Sequence, residues 1–152
     1  MTAADVLAVE AVNAEFYEAF EATDYDRMAA LWVDGDTSAS CVHPGWPVVR
    51  GLSQVLRSWA VIFANTPYIQ FVLTDVTTDV AGDVAVVTCT ENIITSVSTP
   101  DSSDGDLGGG RVVATNVFRR TPVGWRMWLH HGSPVLESTE DDEDDEPGQG
   151  QP

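Results

Sequence analysis

The chain has 152 residues, of which 43% are hydrophobic, and this is enough apolar material for one packed domain of ordinary size. It carries 24 acidic side chains against seven arginines and no lysine, so its formal net charge at pH 7 is −17. A chain with so few cationic groups lacks the footprint that neutralises nucleic-acid phosphates or an anionic membrane surface, and we expect neither partner.

The first part of the chain contains three stretches with the apolar spacing of amphipathic helices. The first begins at the capping pair Thr2 and Asp5 and runs to about residue 22. A short second helix follows the capping sequence 23–26 and ends near Trp32, where Val-Asp-Gly-Asp breaks the pattern. The third occupies 52–63 and is ended by Asn-Thr-Pro.

Strand-forming sequence accounts for the remainder of the folded part. Two short strands, 38–43 and 48–50, flank the turn Pro-Gly-Trp-Pro. Four long strands, joined in two antiparallel hairpins with a polar, glycine-rich loop over 98–110 between them, are predicted over 68–80, 84–98, 111–120 and 125–133. Helices at one end of the chain and strands at the other predict an α+β fold in which helices cover one face of a sheet.

The last segment, 137–152, holds eight acids and no base. Such a run repels itself and has nothing to bury, so we predict a disordered acidic tail after a folded domain of 1–136. A solubilising appendage is the simplest interpretation of this tail. A docking arm for a basic protein is the alternative.

The chain shows no targeting signal that we recognise. Its start carries three acids and no basic segment of the kind that opens a secretory signal, and no apolar run approaches the roughly 18 residues of a membrane span. Cys41 and Cys89 lie in strand-like sequence without a Cys-x-x-Cys spacing, so we expect buried thiols. These features predict a cytoplasmic protein.

Several different short motifs follow one another along the chain in a recognisable order. They are Ala-Ala-Leu-Trp at 29–32, Val-His-Pro-Gly-Trp at 42–46, Gly51 with Ser58 and Trp59, Gly-Asp-Val-Ala-Val-Val at 82–87, Ala-Thr-Asn-Val-Phe at 114–118, Gly-Trp-Arg at 124–126 and His-His-Gly-Ser-Pro at 130–134. In this order they resemble the NTF2-like superfamily, in particular its SnoaL-like and ketosteroid-isomerase-like branches, over residues 5–136.

The resemblance implies a strongly bent, mixed or antiparallel sheet that wraps around three N-terminal helices as a cone, with an internal cavity that opens at one end. It also implies a homodimer formed through the outer face of the sheet. Members of that superfamily include dehydratases, isomerases, polyketide cyclases and epoxide hydrolases, but also the non-catalytic assembly domain of calmodulin-dependent kinases. The fold therefore does not decide the reaction.

Strand alternation predicts which side chains face the cavity. One face of the last strand is more apolar than the other and carries Trp125, Met127, Leu129, His131 and Ser133. We therefore expect His131 to point inward, and His130 and Trp128 to point outward, toward a dimer contact. In the two preceding strands the same alternation places Glu91 and Asn116 on inward faces.

Glu91 and His131 are the predicted acid–base pair. A carboxylate on an apolar face has its pKa raised by desolvation, which suits a general acid or base working near neutrality. Glu91 would orient the imidazole of His131, and Asn116 would donate its amide to a developing oxyanion. The alternative is structural: Glu91 pairs with Arg111 or Arg50, and His131 bonds a backbone carbonyl.

His43 and Trp46 flank the tight Pro-Gly turn, where we expect them to line the mouth of the cavity, with His43 assisting catalysis. A histidine that only stabilises the turn is the alternative. We expect no metal site, because His43 is distant from His131 and the adjacent His130 and His131 point to opposite faces of a strand.

Three further aromatic side chains are candidates for ligand contact. Tyr17 is placed to reach the cavity from the first helix as a hydrogen-bond donor. Trp32 and Trp59 are candidates as well, although their helical spacing fits a structural core equally.

The sequence therefore predicts a small homodimeric enzyme that works by acid–base catalysis without a cofactor. Its substrate is predicted to be an uncharged, mostly apolar small molecule, and its reaction a dehydration or an isomerisation. The alternative is a non-catalytic module of the same fold that binds a ligand or assembles into oligomers.

Overall fold

Three helices and six strands form in the part of the chain that the computed structural model describes, which is residues 2–35, 38–96 and 107–136. The helices are α1 (Ala3–Ala22), α2 (Tyr25–Ala29) and α3 (Leu52–Ala64). The strands are β1 (Ser40–Val42), β2 (Val49–Arg50), β3 (Ile69–Ala81), β4 (Val84–Ser96), β5 (Leu107–Thr121) and β6 (Gly124–Pro134). The predicted acidic tail, 137–152, and most of the predicted loop over 98–110 lie outside the described residues.

The α1 and α2 helices start where the sequence offers side-chain caps, whereas α3 starts at Gly51 without one. The Thr2 hydroxyl accepts a hydrogen bond from the backbone N–H of Asp5 at 3.0 Å, and the Asp24 carboxylate accepts one from Arg27 at 3.1 Å. The α2 helix ends before the predicted Trp32. The chain turns there to make a parallel bridge between Trp32 and Met127 of β6, and this tertiary contact competes with a further helical turn.

The six strands form one mixed sheet in the order β2-β1-β6-β5-β4-β3, with the helices packed on one face. β1 runs parallel to β6, and the remaining neighbours are antiparallel. This arrangement confirms the predicted α+β class.

The β5 strand begins at Leu107, four residues earlier than predicted. Its glycine run pairs in register with the end of β4, with Gly109 opposite Ile94. A Cβ atom at Gly109 would overlap the carbonyl oxygen of Ile93, so this position excludes larger residues. Glycines that indicate a loop in the sequence therefore serve here as strand residues that allow close approach.

A β-bulge interrupts the alternation of β6. Val117 of β5 pairs with Leu129, whereas Phe118 pairs with Met127, so Trp128 is the extra residue on β6. Beyond the bulge every side chain changes face. His130 is 2% exposed and faces the interior, while His131 is exposed.

The predicted orientation of these two histidines is therefore wrong. We had expected His131 to point inward and His130 outward by counting alternate residues from Trp125. The alternation of inward and outward side chains continues as far as Met127. It is reversed after Trp128, because one extra residue shifts a two-residue alternation to the opposite face.

The core lies between the helices and the concave face of the sheet. Its largest fully buried side chains include Phe16 of α1, Trp59 of α3 and Phe118 of β5. Cys41 and Cys89 are buried free thiols, as predicted. In the described ranges, no helix has the length and apolar character that would be needed to cross a membrane.

Candidate functional site

A cleft of about 290 Å³ opens between α1, α3 and the inner face of the sheet. Its lining is largely apolar, with a few polar groups among aromatic and aliphatic side chains. The residues that line it are Phe20, His43, Pro44, Trp46, Ile62, Thr66, Ile69, Phe71, Glu91, Ile93, Thr95 and His130. An apolar cleft with a few converging polar groups is the usual form of a small-molecule site.

Glu91 lies on the inner face of β4, where it is 3% exposed. The Tyr17 hydroxyl donates a hydrogen bond of 2.5 Å to its Oε2. Burial raises the pKa of the Glu91 carboxyl to about 7, although the bond from Tyr17 acts in the opposite direction. Its partner is thus Tyr17 and not Arg50 or Arg111. Near neutral pH this carboxyl is poised between its two protonation states.

Tyr17 is connected to the cleft through its hydrogen bond to Glu91. It is 4% exposed and is not among the residues that line the cleft, but α1 brings its hydroxyl to the carboxylate of Glu91. Burial raises the pKa of Tyr17 far above its ordinary value, with the nearby Glu91 charge adding to the effect. The phenol therefore remains protonated and serves as a donor.

His130 takes the place that we predicted for His131. Its Nδ1 lies 2.6 Å from Oδ1 of Asn116, and its ring packs 4.8 Å from that of Phe16. Burial lowers the pKa of His130 to about 3, with smaller contributions from His43 and His131. The imidazole is therefore neutral over the whole physiological range.

Asn116 joins these groups into one inner polar chain, which we define as Glu91, Tyr17, Asn116, Asn13 and His130. Its amide Nδ2 donates to Oδ1 of Asn13 at 2.9 Å and to the Tyr17 hydroxyl at 3.3 Å. Asn116 is fully buried and does not line the cleft. Both of its amide hydrogens are donated inside the protein, to Asn13 and to Tyr17.

His43 occupies the opposite side of the cleft, one residue after β1. Its Nε2 lies 2.9 Å from the Ser58 hydroxyl, and that hydroxyl donates to the Val55 carbonyl at 2.6 Å. The ring packs 4.7 Å from Trp59 and 6.3 Å from the ring of His130. Burial lowers the pKa of His43 to about 4, so this imidazole is neutral as well.

The tryptophans divide between the mouth and the core. Trp46 lines the cleft, is 38% exposed and packs on His43, which is the place predicted for it. Trp32 and Trp59 are buried in the core and are not among the residues that line the cleft. Trp59 instead supports His43 and His130 from behind.

Sequence reasoning missed His130, Asn13 and Ser58. One signal pointed to His130: Gly132 lies two residues further along the strand. Gly132 is buried, and a Cβ atom there would come within 3.1 Å of Pro44. A glycine that must face inward places His130 on the same inward face.

Comparison with known proteins gives a consistent family. A family model described as a SnoaL-like domain matches residues 9–137. A solved structure of a proposed dehydratase of the NTF2-like family from Streptomyces avermitilis is 53% identical, covers 88% of this chain and 98% of that chain, and superposes with a TM-score of 0.79.

Two further relatives carry different descriptions. A proposed calcium/calmodulin-dependent protein kinase type II association domain from Thiobacillus denitrificans is 31% identical, covers 84% of this chain and 94% of its own, and has a TM-score of 0.70. The F-box protein SKIP8 of Arabidopsis thaliana is 28% identical over 129 residues, which is 85% of this chain. The chain spans 50% of the length of that curated relative.

Proposed function

The chain belongs to the SnoaL-like domain family, and from this premise we propose that it is an acid–base enzyme that dehydrates or isomerises an uncharged, mostly apolar small molecule bound in the cleft. One observation carries the proposal: the carboxyl of Glu91 and the imidazole of His130 both line a single, largely apolar cleft. The relative from Streptomyces avermitilis, itself described as a proposed dehydratase, supports the same reaction class.

The lining favours an uncharged substrate. Among the described residues that form it, seven are aliphatic, aromatic or proline side chains and none is an arginine. Both histidines are neutral near pH 7, because burial holds their pKa values at about 4 and about 3. With a net charge of −17, the chain also repels anions from a distance. Carboxylates and phosphates are therefore poor candidates.

Glu91 is the group that can move a proton. As a carboxylate it takes a proton from a carbon next to a carbonyl group, and the electron pair of that bond forms an enolate. In a dehydration the same proton passes to the departing hydroxyl, water leaves and the carboxylate is restored. In an isomerisation the proton returns to a different carbon. Both sequences balance without an oxidant or reductant, and His130 supplies a neutral polar contact for the substrate oxygen.

A second candidate function rests on the relative from Thiobacillus denitrificans, which is described as a proposed association domain. The chain would then be a non-catalytic module that assembles through the outer face of its sheet. That face exposes the apolar side chains of Val72, Ile94 and Val113. Light scattering that shows assemblies larger than a dimer, combined with no turnover by any variant, would favour this function.

The test of the first proposal begins with a thermal-shift screen of β-hydroxy ketones, β,γ-unsaturated ketones, polyketide fragments and steroids. A ligand that binds only the folded state raises the melting temperature by mass action. Hits are then assayed for formation of a conjugated enone by ultraviolet absorbance. Wild type is compared with Glu91→Gln, His130→Asn and, as a matched control for the adjacent exposed histidine, His131→Ala.

We expect Glu91→Gln to bind hits but to lose at least a hundredfold in turnover, which is the usual contribution of a positioned acid or base. His130→Asn should lose turnover as well, whereas His131→Ala should match wild type. Wild-type turnover by Glu91→Gln would overturn the proposal.

A further inference from the structure

We infer that Asn116 is a positioning residue that holds His130 in the tautomer with its proton on Nδ1, so that the bare Nε2 is left to accept a hydrogen bond from a ligand in the cleft. The inference concerns the direction of each hydrogen bond along the inner polar chain. Its chemical consequence rests on the proposed function, although the tautomer itself does not.

The direction of the hydrogen bonds is set first at the Glu91 end of the inner polar chain. Above the pKa of Glu91, which is about 7, the carboxylate can only accept hydrogen bonds, so the Tyr17 hydroxyl donates its single proton to Oε2 of Glu91. Toward its two other neighbours, the Cys89 thiol and Asn116, the same oxygen has only lone pairs to offer. The Asn116 atom that lies 3.3 Å from it must therefore be the amide nitrogen, which donates.

The Asn116 amide then fixes His130. With Nδ2 turned toward Tyr17 and Asn13, the carbonyl oxygen Oδ1 is the atom that faces His130 at 2.6 Å. An amide oxygen cannot donate, so His130 Nδ1 must carry the proton. The reversed amide would place Oδ1 against the lone pairs of the Tyr17 oxygen, which is repulsive.

His43 provides an internal contrast within the same cleft. The Ser58 hydroxyl donates to the Val55 carbonyl, so toward His43 it can only accept. His43 must therefore carry its proton on Nε2. The structure assigns opposite tautomers to two neutral histidines whose rings lie 6.3 Å apart.

The tautomer of His130 narrows the proposed chemistry. A neutral imidazole that is protonated only on Nδ1 cannot donate into the cleft from Nε2, and the proton of His43 is engaged by Ser58. Among the described lining residues, Glu91 is then the group that both removes the proton and returns it. The substrate class follows: a β-hydroxy ketone whose hydroxyl donates to His130 while Glu91 transfers the proton.

The tautomers can be read without a substrate. Long-range ¹H–¹⁵N correlation spectra of the full ¹⁵N-labelled chain at pH 8.5, where Glu91 is a carboxylate, distinguish a pyrrole-type Nδ1 from a pyrrole-type Nε2 for each histidine. Resonances are assigned with His131→Ala and His130→Asn. We expect a pyrrole-type Nδ1 for His130 and a pyrrole-type Nε2 for His43.

Two variants test the role of Asn116. Asn116→Leu removes the acceptor at similar size and should abolish the Nδ1–H pattern of His130, while that of His43 persists. Asn13→Ala is the matched control, because Asn116 still donates to Tyr17 and Oδ1 still faces His130, so the pattern should remain. Asn116→Asp keeps an acceptor and should retain the Nδ1–H even if the leucine variant does not fold.

Each outcome bears on one claim. A pyrrole-type Nε2 on His130 in wild type overturns the inference, and so does an Nδ1–H pattern that survives in a folded Asn116→Leu chain. A wild-type chain with the expected tautomers but no turnover of any hit would retain the inference and remove the proposed function.

Discussion

The two sides of the cleft each hold one neutral histidine, and they hold it in different ways. On the α3 side, the ring of His43 contacts the Ser58 hydroxyl and the thiol of the nearby Cys41, and it lies beside the half-exposed Trp46. On the sheet side, His130 is the end of the inner polar chain, whose members come from α1, β4, β5 and β6. The α3 side is therefore held by local contacts, whereas the sheet side is held by a chain of connected hydrogen bonds.

This difference predicts how many groups of the site a single substitution affects. Hydrogen bonds in a buried chain polarise one another, and the loss of one member changes the environment of the rest. A substitution on the sheet side should therefore be felt from Glu91 to His130. A substitution at Ser58 should remain confined to His43.

The largest loss of stability is expected at Phe16, because groups from both sides of the cleft pack against its ring. The Phe16 ring packs against Tyr17, Trp59 and His130 and is fully buried. Phe16→Ala should lower the free energy of unfolding by about 3–5 kcal/mol, because it removes a large buried ring and leaves a cavity. Leu7→Ala, at a position on the same helix that is 66% exposed, is the control. Equal denaturation midpoints for the two variants would show that the sides do not share this core.

The next largest effect is the contribution of Glu91, on the sheet side of the cleft, to the stability of the fold, and it depends on pH. Burial raises the pKa of Glu91 from 4.5 to about 7, so between these values the folded chain holds a proton that the unfolded chain has released. Stability from this group is therefore lost as the pH rises through that window, by about 3 kcal/mol at most.

Glu91→Gln removes this titration while keeping an oxygen that can accept from Tyr17. Chemical denaturation of both chains from pH 4.5 to 8 should show the variant gaining stability over wild type as the pH rises. Every other titrating group is common to the two chains and cancels in the difference. A difference that does not change with pH would mean that Glu91 is not buried as described.

The smallest effect is expected on the local side. Ser58→Ala leaves the buried Nε2–H of His43 without an acceptor, which costs about 1–3 kcal/mol. Ser53→Ala, at an exposed position of the same helix, should cost little. The NMR signals of His130 should stay unchanged in Ser58→Ala, and a change in them would break the distinction between the two sides.

Much of the fold could be predicted because it depends on local signals. The cap at Thr2, the order of the elements and the inward position of Glu91 follow from propensities and periodicity, and the structure confirms them. The second cap lies within the predicted sequence 23–26, but Asp24 provides it, while Thr23 ends α1. The motif order along the chain also indicated the family that the comparisons show.

The remaining features depend on contacts between distant parts of the chain. The bulge at Trp128 inverts the faces of His130 and His131, and its position is set by pairing with β5. Asn116 is turned away from the cleft because Asn13 and Tyr17, about 100 residues away, use its amide hydrogens. Periodicity within one strand carries no information about either partner.

The most direct test of the account is a titration of the Glu91 side chain itself. Carbon-detected NMR of the ¹³C-labelled chain reports the carboxyl carbon of Glu91, which Glu91→Gln identifies by its disappearance. The account predicts a midpoint near pH 7, because the group is buried in the apolar cleft with Tyr17 as its hydrogen-bond donor. A midpoint near the ordinary value of 4.5 would contradict it, since a carboxyl group with that pKa would not be desolvated in the apolar wall of the cleft.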